Sequence, residues 1–132
     1  MSKPENSFIT GLHKHLPVAL HHEKMHNPYR GGTADVWYSG CRDLWVEYKF
    51  IVVPVRITTP IKIDLSALQL QWLRRRHEEG RNVAVIIGSK MGGVVFDNLL
   101  WETPIHTGTF IASTLSRKDL AAWILQQTGG PP

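Results

Sequence analysis

Leu44-Trp45-Val46-Glu47-Tyr48-Lys49-Phe50-Ile51-Val52-Val53 is an apolar run broken only by an acid and a lysine one residue apart. Side chains alternate across a β-strand, so Glu47 and Lys49 share one face while Val46, Tyr48 and Phe50 share the other. Trp45 and Ile51 keep the charged face apolar as well. A strand apolar on both faces belongs in the middle of a sheet. Charged groups are costly there unless they serve chemistry. The other use of a Glu-x-Lys triplet is a solvent-facing cross-strand ion pair, and the apolar neighbours argue against it.

Upstream, Ala34-Asp35-Val36-Trp37-Tyr38 reads as a strand and Ser39-Gly40-Cys41-Arg42-Asp43 as a turn. Pairing of the two strands as a hairpin brings Asp35 toward Glu47. Two carboxylates held together suit a hard cation, Mg²⁺ with Mn²⁺ as a possible substitute. Such an ion keeps several waters, so two carboxylates and one carbonyl suffice. The Tyr48 carbonyl is the candidate third ligand. Lys49 then stands ready to position an attacking water or to stabilise charge on a phosphorane.

Around this centre, residues 4–16 read as a helix: Phe8, Ile9, Leu12 and Leu16 recur at helical spacing, and Pro17 stops it. Glu5 lies on the same stripe at the N-terminal end, with Ser2 placed to form a capping box with it. The His-rich residues 18–29 contain at most a short strand, and Gly31-Gly32 punctuates. Residues 57–63 are a strand or an extended loop, limited by Pro54 and Pro60. The best-defined helix is 67–79, capped by Ser66 with Gln69 completing a capping box, stapled by Leu65 and Leu70, and ended by Gly80. Residues 83–88 form a fully buried type of strand, paired with 94–96 through a Gly92-Gly93 turn. Residues 99–110 read as loop, and 117–127 as a helix capped by Ser116, with Leu120, Trp123 and Ile124 on its apolar face. A buried strand following a helix predicts an α/β fold, a mixed central sheet flanked by helices on both faces. The 132 residues suit one domain.

Asp35, followed by Glu47-Tyr48-Lys49 on the next strand, resembles the PD-(D/E)XK nuclease superfamily. Leu65-Ser66-Ala67-Leu68-Gln69, then Trp72-Leu73, Gly80 and an apolar strand, resembles its VRR-NUC branch. Together the likeness covers residues 5–96. It implies a restriction-endonuclease-like fold, with Asp35 and Glu47 as metal ligands, Lys49 as the catalytic lysine, and Gln69 near the active site. Glu5 matches the acid that the first helix often contributes. Ala34 departs from the proline of the motif. Gln69 and Glu5 each have a purely structural alternative as capping-box residues. Small single-domain proteins of this type resemble Holliday-junction resolvases, which act as homodimers, so the resemblance implies structure-selective cleavage of branched DNA. A stand-alone domain of this kind also resembles phage or mobile-element proteins. The alternatives are a sequence-specific restriction- or homing-type endonuclease, and a non-catalytic DNA-binding protein on the same fold. The intact Asp35, Glu47 and Lys49 set argues against the last.

The bulk properties agree. A net charge of +4 and a sequence pI near 9.5 suit an anionic partner. Lys14, Lys24 and Arg30 add positive field to the His-rich stretch. Lys62, Lys90, Arg117 and Lys118 are further candidate phosphate contacts. Arg74-Arg75-Arg76-His77 radiates around its helix, so only one or two of these, Arg74 and Arg75 foremost, can meet one surface. Five of the seven histidines fall between His13 and His26, without the cysteines or defined ligand set of a zinc site. The lone Cys41 excludes an internal disulfide framework. Trp45, Trp72 and Trp123 fit core faces; Trp37 and Trp101 are assigned to packing. The first residues lack a signal-peptide pattern and no apolar run reaches membrane-spanning length. A cytoplasmic protein is expected, in a host's cytoplasm if viral.

Overall fold

The computed structural model describes residues 2–25 and 31–132. His26 and Arg30 lie outside the described residues. The chain opens with helix α1, Lys3–His13, capped by Ser2 in a complete capping box with Glu5. It stops before the expected residue 16, because the amides of His15 and Leu16 bond to the carbonyls of Leu12 and His13 in a tightened last turn. Pro17 disfavours helical backbone at Leu16.

Strands β1 (His21–Lys24), β2 (Val36–Ser39) and β3 (Asp43–Phe50) follow as an antiparallel meander. The two-residue β4 (Pro60–Ile61) comes next, then helix α2 (Ala67–Glu78) and strand β5 (Val83–Ser89). Strand β6 (Gly92–Phe96) returns antiparallel to β5. Gly92 and Gly93 are thus strand residues and not the expected turn, which falls at Lys90 and Met91. Both Gly88 and Gly93 face Phe8, whose ring lies 2.7 and 2.9 Å from where a Cβ would stand. Glycine there admits the helix against the sheet.

A 3-10 turn, Leu100–Glu102, leads to β7 (Ile105–His106), which pairs with β4, and then to helix α3 (Thr107–Ser113). This helix was not apparent in the sequence. Thr-Gly-Thr at its start has poor helix propensity. Its amides are instead anchored from outside: Thr107 donates to the Thr59 carbonyl and Gly108 to that of Ile57. Helix α4 (Arg117–Thr128), capped by Ser116, ends the fold.

The main sheet has the order β1-β2-β3-β5-β6, with β3 and β5 parallel and every other pair antiparallel. The expected mixed sheet is present, and β3 is its central strand. One core lies between the sheet and α1 with α4, built on Phe8, Ile9, Leu12, Tyr38, Val46, Tyr48 and Ile124. The other lies under α2 and α3, built on Leu73, Val83, Val85, Ile87, Trp101 and Phe110. Trp45 and Trp72 flank the second core half-buried, while Trp101 is fully inside it. All seven residues of β5 are buried, which accounts for its apolar run from Val83 to Ile87, and the terminal Ser89 is satisfied by the Gly92 carbonyl. Among the described residues no helix is long and apolar enough to cross a membrane.

Candidate active site

The β2–β3 register pairs Val36 with Val46 and Trp37 with Trp45. One step further would set Asp35 opposite Glu47. At that step β2 has not yet begun, although a strand from residue 34 was expected; the chain instead bends in from Gly32. The Tyr48 amide, which a longer β2 would have bonded by backbone, donates to Asp35 Oδ2 at 2.9 Å. The shortening of β2 thus turns the Asp35 carboxylate onto β3. A strand residue's N–H and C=O point to the same edge, so the Tyr48 carbonyl faces that side too.

Gly32 sets the bend. Its φ is +96°, and a Cβ would stand 2.4 Å from the Leu68 carbonyl oxygen. Only glycine combines that backbone with so close an approach to the first turn of α2. The sequence signal was present in Gly31-Gly32, though its use as a hinge between α2 and the acid was not foreseen.

Glu47 is 2 % exposed. Its Oε2 accepts from Gln69 Nε2 at 3.1 Å, while Oε1 is buried without a partner. Burial pushes its carboxyl up to about 9, the neighbouring Asp35 carboxyl adds to this, Lys49 opposes it and Glu5 contributes slightly. A carboxylate in this position lacks a counter-charge, since Lys49 offsets only part of the cost. Lys49, half-buried, lies two residues on along the same face of β3. Among the described residues, no three His, Cys, Asp or Glu side chains converge on one point. The carboxylate set is therefore the Asp35 and Glu47 pair. An orphaned buried oxygen beside a second carboxyl and a strand-edge carbonyl fits a hard, oxygen-seeking cation.

Gln69 completes the cap of α2 and also reaches Glu47. Its amide N–H donates to Ser66 Oγ at 3.1 Å and its side-chain oxygen accepts from the Ser66 amide at 2.9 Å. The remaining NH₂ is left to hold Glu47. The capping box fixes the rotamer that presents that donor. Glu5 likewise completes the α1 cap, accepting from the Ser2 amide at 3.4 Å, and acts on Glu47 only through its charge.

Behind the site, on the opposite face of β3, runs a buried polar chain. Tyr48 Oη lies 2.5 Å from Tyr38 Oη, which lies 2.8 Å from His13 Nε2. Burial holds both phenols above their ordinary range. It lowers His13 to about 4, with His22 and Lys24 adding to the effect. His13 is thus neutral at pH 7, and Tyr48 is locked from both its side chain and its amide.

The basic residues are spread more widely. Lys14 and Lys24 are exposed beside α1, with Lys24 Nζ donating to Asn6 Oδ1 at 3.2 Å. Lys62 is exposed after β4, and Arg75 is exposed on α2. Arg74 is held in a bidentate ion pair with Glu102 and lies 3.6 Å from Glu78, so its charge is largely matched within the fold. Arg30 lies outside the described residues. On the Glu47 face, Trp37 stacks on Trp45 with ring centres 5.9 Å apart, Trp72 meets Trp45 edge-on, and Arg76 covers Trp72. The tryptophans support one another, as packing predicts.

No protein-family model and no curated protein sequence matches this chain. Among solved structures it is similar to the 1.6 Å structure of Hjc, a Holliday junction resolvase from the archaeal hyperthermophile Archaeoglobus fulgidus. The TM-score is 0.55 at 18% sequence identity, over 89% of this chain and 99% of that one. At that identity the likeness is one of fold: a five-stranded mixed sheet flanked by helices, shared over nearly the whole of both chains.

Proposed function

We propose that this protein is a divalent-metal-dependent endodeoxyribonuclease of the PD-(D/E)XK type, selective for branched DNA and working as a homodimer. The observation that carries this is Glu47, a buried carboxyl with one oxygen unpartnered and a second carboxyl against it, on the central strand of a resolvase-like fold. Such an arrangement destabilises the fold by itself and makes sense as a ligand pair.

Asp35, Glu47 and the Tyr48 carbonyl would hold Mg²⁺, or Mn²⁺ in its place. When bound, the cation supplies charge neutralisation at the phosphate and acidifies a coordinated water. Gln69 orients Glu47 and leaves its Oε1 free. Asp35, gripping the Tyr48 amide, fixes the distance between the two acids. Lys49 offers its ammonium to the scissile phosphate, to hold the attacking water or to offset the extra negative charge of the phosphorane. Glu5, at the margin, adds negative potential that favours a cation. Lys14, Lys24, Arg30, Lys62 and Arg75 would meet the phosphate backbone, and Arg74 would do so only on leaving Glu102.

Support for the branched substrate comes from the resolvase fold, and Hjc covers nearly all of this chain. The test is cleavage of four-way, nicked and linear duplex DNA in Mg²⁺, with Lys49→Ala as control. Preference for the four-way junction, lost in Lys49→Ala, is the expected result. Cleavage of linear duplex at one sequence would point to a restriction- or homing-type enzyme. Binding without metal-dependent cleavage of any substrate would leave a DNA-binding protein.

A further inference from the structure

The segment that follows Lys49 exposes apolar side chains in a way that the fold does not require. Val52 is 89%, Val55 99% and Ile57 65% exposed, and Met91 of the facing β5–β6 turn is 55% exposed. Val52, Met91 and Lys90 border one pocket of about 250 Å³. The segment is nonetheless held in place. At its start the Ile51 amide donates to the Gly88 carbonyl at 2.9 Å. At its end Gly108 donates to the Ile57 carbonyl at 2.8 Å, and Thr107 Oγ1 to that of Thr59 at 2.7 Å. Apolar groups gathered along one anchored segment, with Val52 and Met91 about one pocket, mark a candidate binding surface.

Charge and position choose the partner. Between Glu47 and Asp64 the sequence holds Lys49, Arg56 and Lys62 and no acid, and the facing turn adds Lys90. A second copy docking here by two-fold symmetry would set this cationic patch against itself. A nucleic acid instead matches both properties, with phosphates for the cations and base faces for the valines. The patch also continues β3: Val52 is three residues beyond Lys49, a reach of about 10 Å.

Resting on the nuclease reading above, we infer that Val52, Val55, Ile57 and Met91 form an apolar wedge that packs against unstacked bases at the branch point, with Arg56 and Lys90 gripping the flanking phosphates. A branch interrupts continuous stacking, so its central bases unstack at less cost than those of continuous duplex, and the wedge favours it. This gives the site a source of structure selectivity that does not depend on reading sequence.

The test uses a four-way junction with 2-aminopurine at the branch point, bound in Ca²⁺ and followed by fluorescence and anisotropy. Wild-type protein should brighten the probe as its base unstacks. The Val52→Ser/Val55→Ser/Ile57→Ser protein should bind the junction about tenfold more weakly, without brightening, while linear duplex affinity changes little. Val52→Leu/Val55→Leu should keep the brightening. Arg56→Ala should weaken junction and duplex alike, with a shallower salt dependence. Wild-type brightening by the serine variant overturns the wedge and leaves the nuclease reading standing. So does sedimentation in which the wild type is dimeric and the serine variant monomeric, which makes the patch a contact between copies. Failure of the nuclease reading differs: wild-type protein then binds and brightens the junction but cuts none of the DNAs in Mg²⁺, which leaves the wedge standing, whereas a wild type that binds none of them overturns both.

Discussion

Replacing Glu47 by glutamine should stabilise the metal-free protein while abolishing cleavage. Burial and the adjoining Asp35 lift this carboxyl from 4.5 to about 9. At pH 7 the folded chain must therefore take up a proton that the unfolded chain does not hold. The gap from 4.5 to pH 7 is about 2.5 pH units at ~1.36 kcal/mol each, an upper bound of roughly 3 kcal/mol. Water entry and local relaxation reduce this to about 1–2 kcal/mol. Glutamine has the same shape and no charge to lose. Its oxygen keeps the bond from Gln69 Nε2, and its NH₂ is free to donate to Asp35. The melting temperature in EDTA should then rise by roughly 3–8 °C at pH 7. The sign follows from linkage. A raised carboxyl means that wild-type stability falls as pH climbs from 4.5 toward 9, because the bound proton is progressively lost. Glutamine removes that slope, so the two proteins should converge near pH 4.5 and diverge upward. Urea unfolding in EDTA at pH 5, 7 and 8.5 measures the difference directly. A Glu47→Gln protein less stable than wild type at every pH, or differing by a constant amount, would refute the picture of a buried acid repelled by its neighbour Asp35.

Further outcomes follow from neighbouring contacts. Ser66→Ala removes the α2 cap alone and should cost about 1 kcal/mol with cleavage nearly intact, whereas Gln69→Ala should cost about as much and also slow cleavage at least tenfold; kinetics beside urea titrations separate the two. Gly32→Ala should destabilise the fold by about 2 kcal/mol or more, since it meets both an unfavourable φ and the Leu68 carbonyl; denaturant midpoints measure this. Calorimetric titration of Mn²⁺ at pH 7 in buffers of different ionisation enthalpy should show proton release by wild type and none by Glu47→Gln, because the bound proton must leave as the cation enters. Equal proton release by both would place that proton elsewhere.

The sequence revealed most where one physical constraint dominates. The runs from Leu44 to Phe50 and from Val83 to Ile87 are interior strands as expected, and the Ser66 and Gln69 spacing fixed the start of α2. The apolar sequence runs on to Val53, while β3 stops at Phe50 and leaves Val52 exposed. The late start of β2 was hidden, because the bend before it rests on the approach of Gly32 to Leu68, a contact across distant parts of the chain. Helix α3 was hidden for the same reason: Thr107 and Gly108 have little propensity of their own and are held by carbonyls some fifty positions upstream. Gly92 and Gly93 carry the usual signal of a turn, yet Gly93 serves to make room for Phe8. The closeness of Asp35 to Glu47 was legible because the two lie at the base of one local hairpin, Asp35 just before β2 and Glu47 on β3. That Gln69 both caps and orients, and that Tyr48 is braced by Tyr38 and His13, depends on side chains meeting across the sheet.

The central claim is that Asp35, Glu47 and Lys49 together hydrolyse a phosphodiester bond with a divalent cation. Single-turnover cleavage of a four-way junction tests it most directly, run with wild type, Glu47→Gln and Lys49→Ala in Mg²⁺ and in EDTA. Wild type should cut only with metal, and each variant should fall by about a thousandfold or more while still binding the junction. Cleavage by Lys49→Ala at the wild-type rate, or wild-type cleavage undiminished in EDTA, would contradict it.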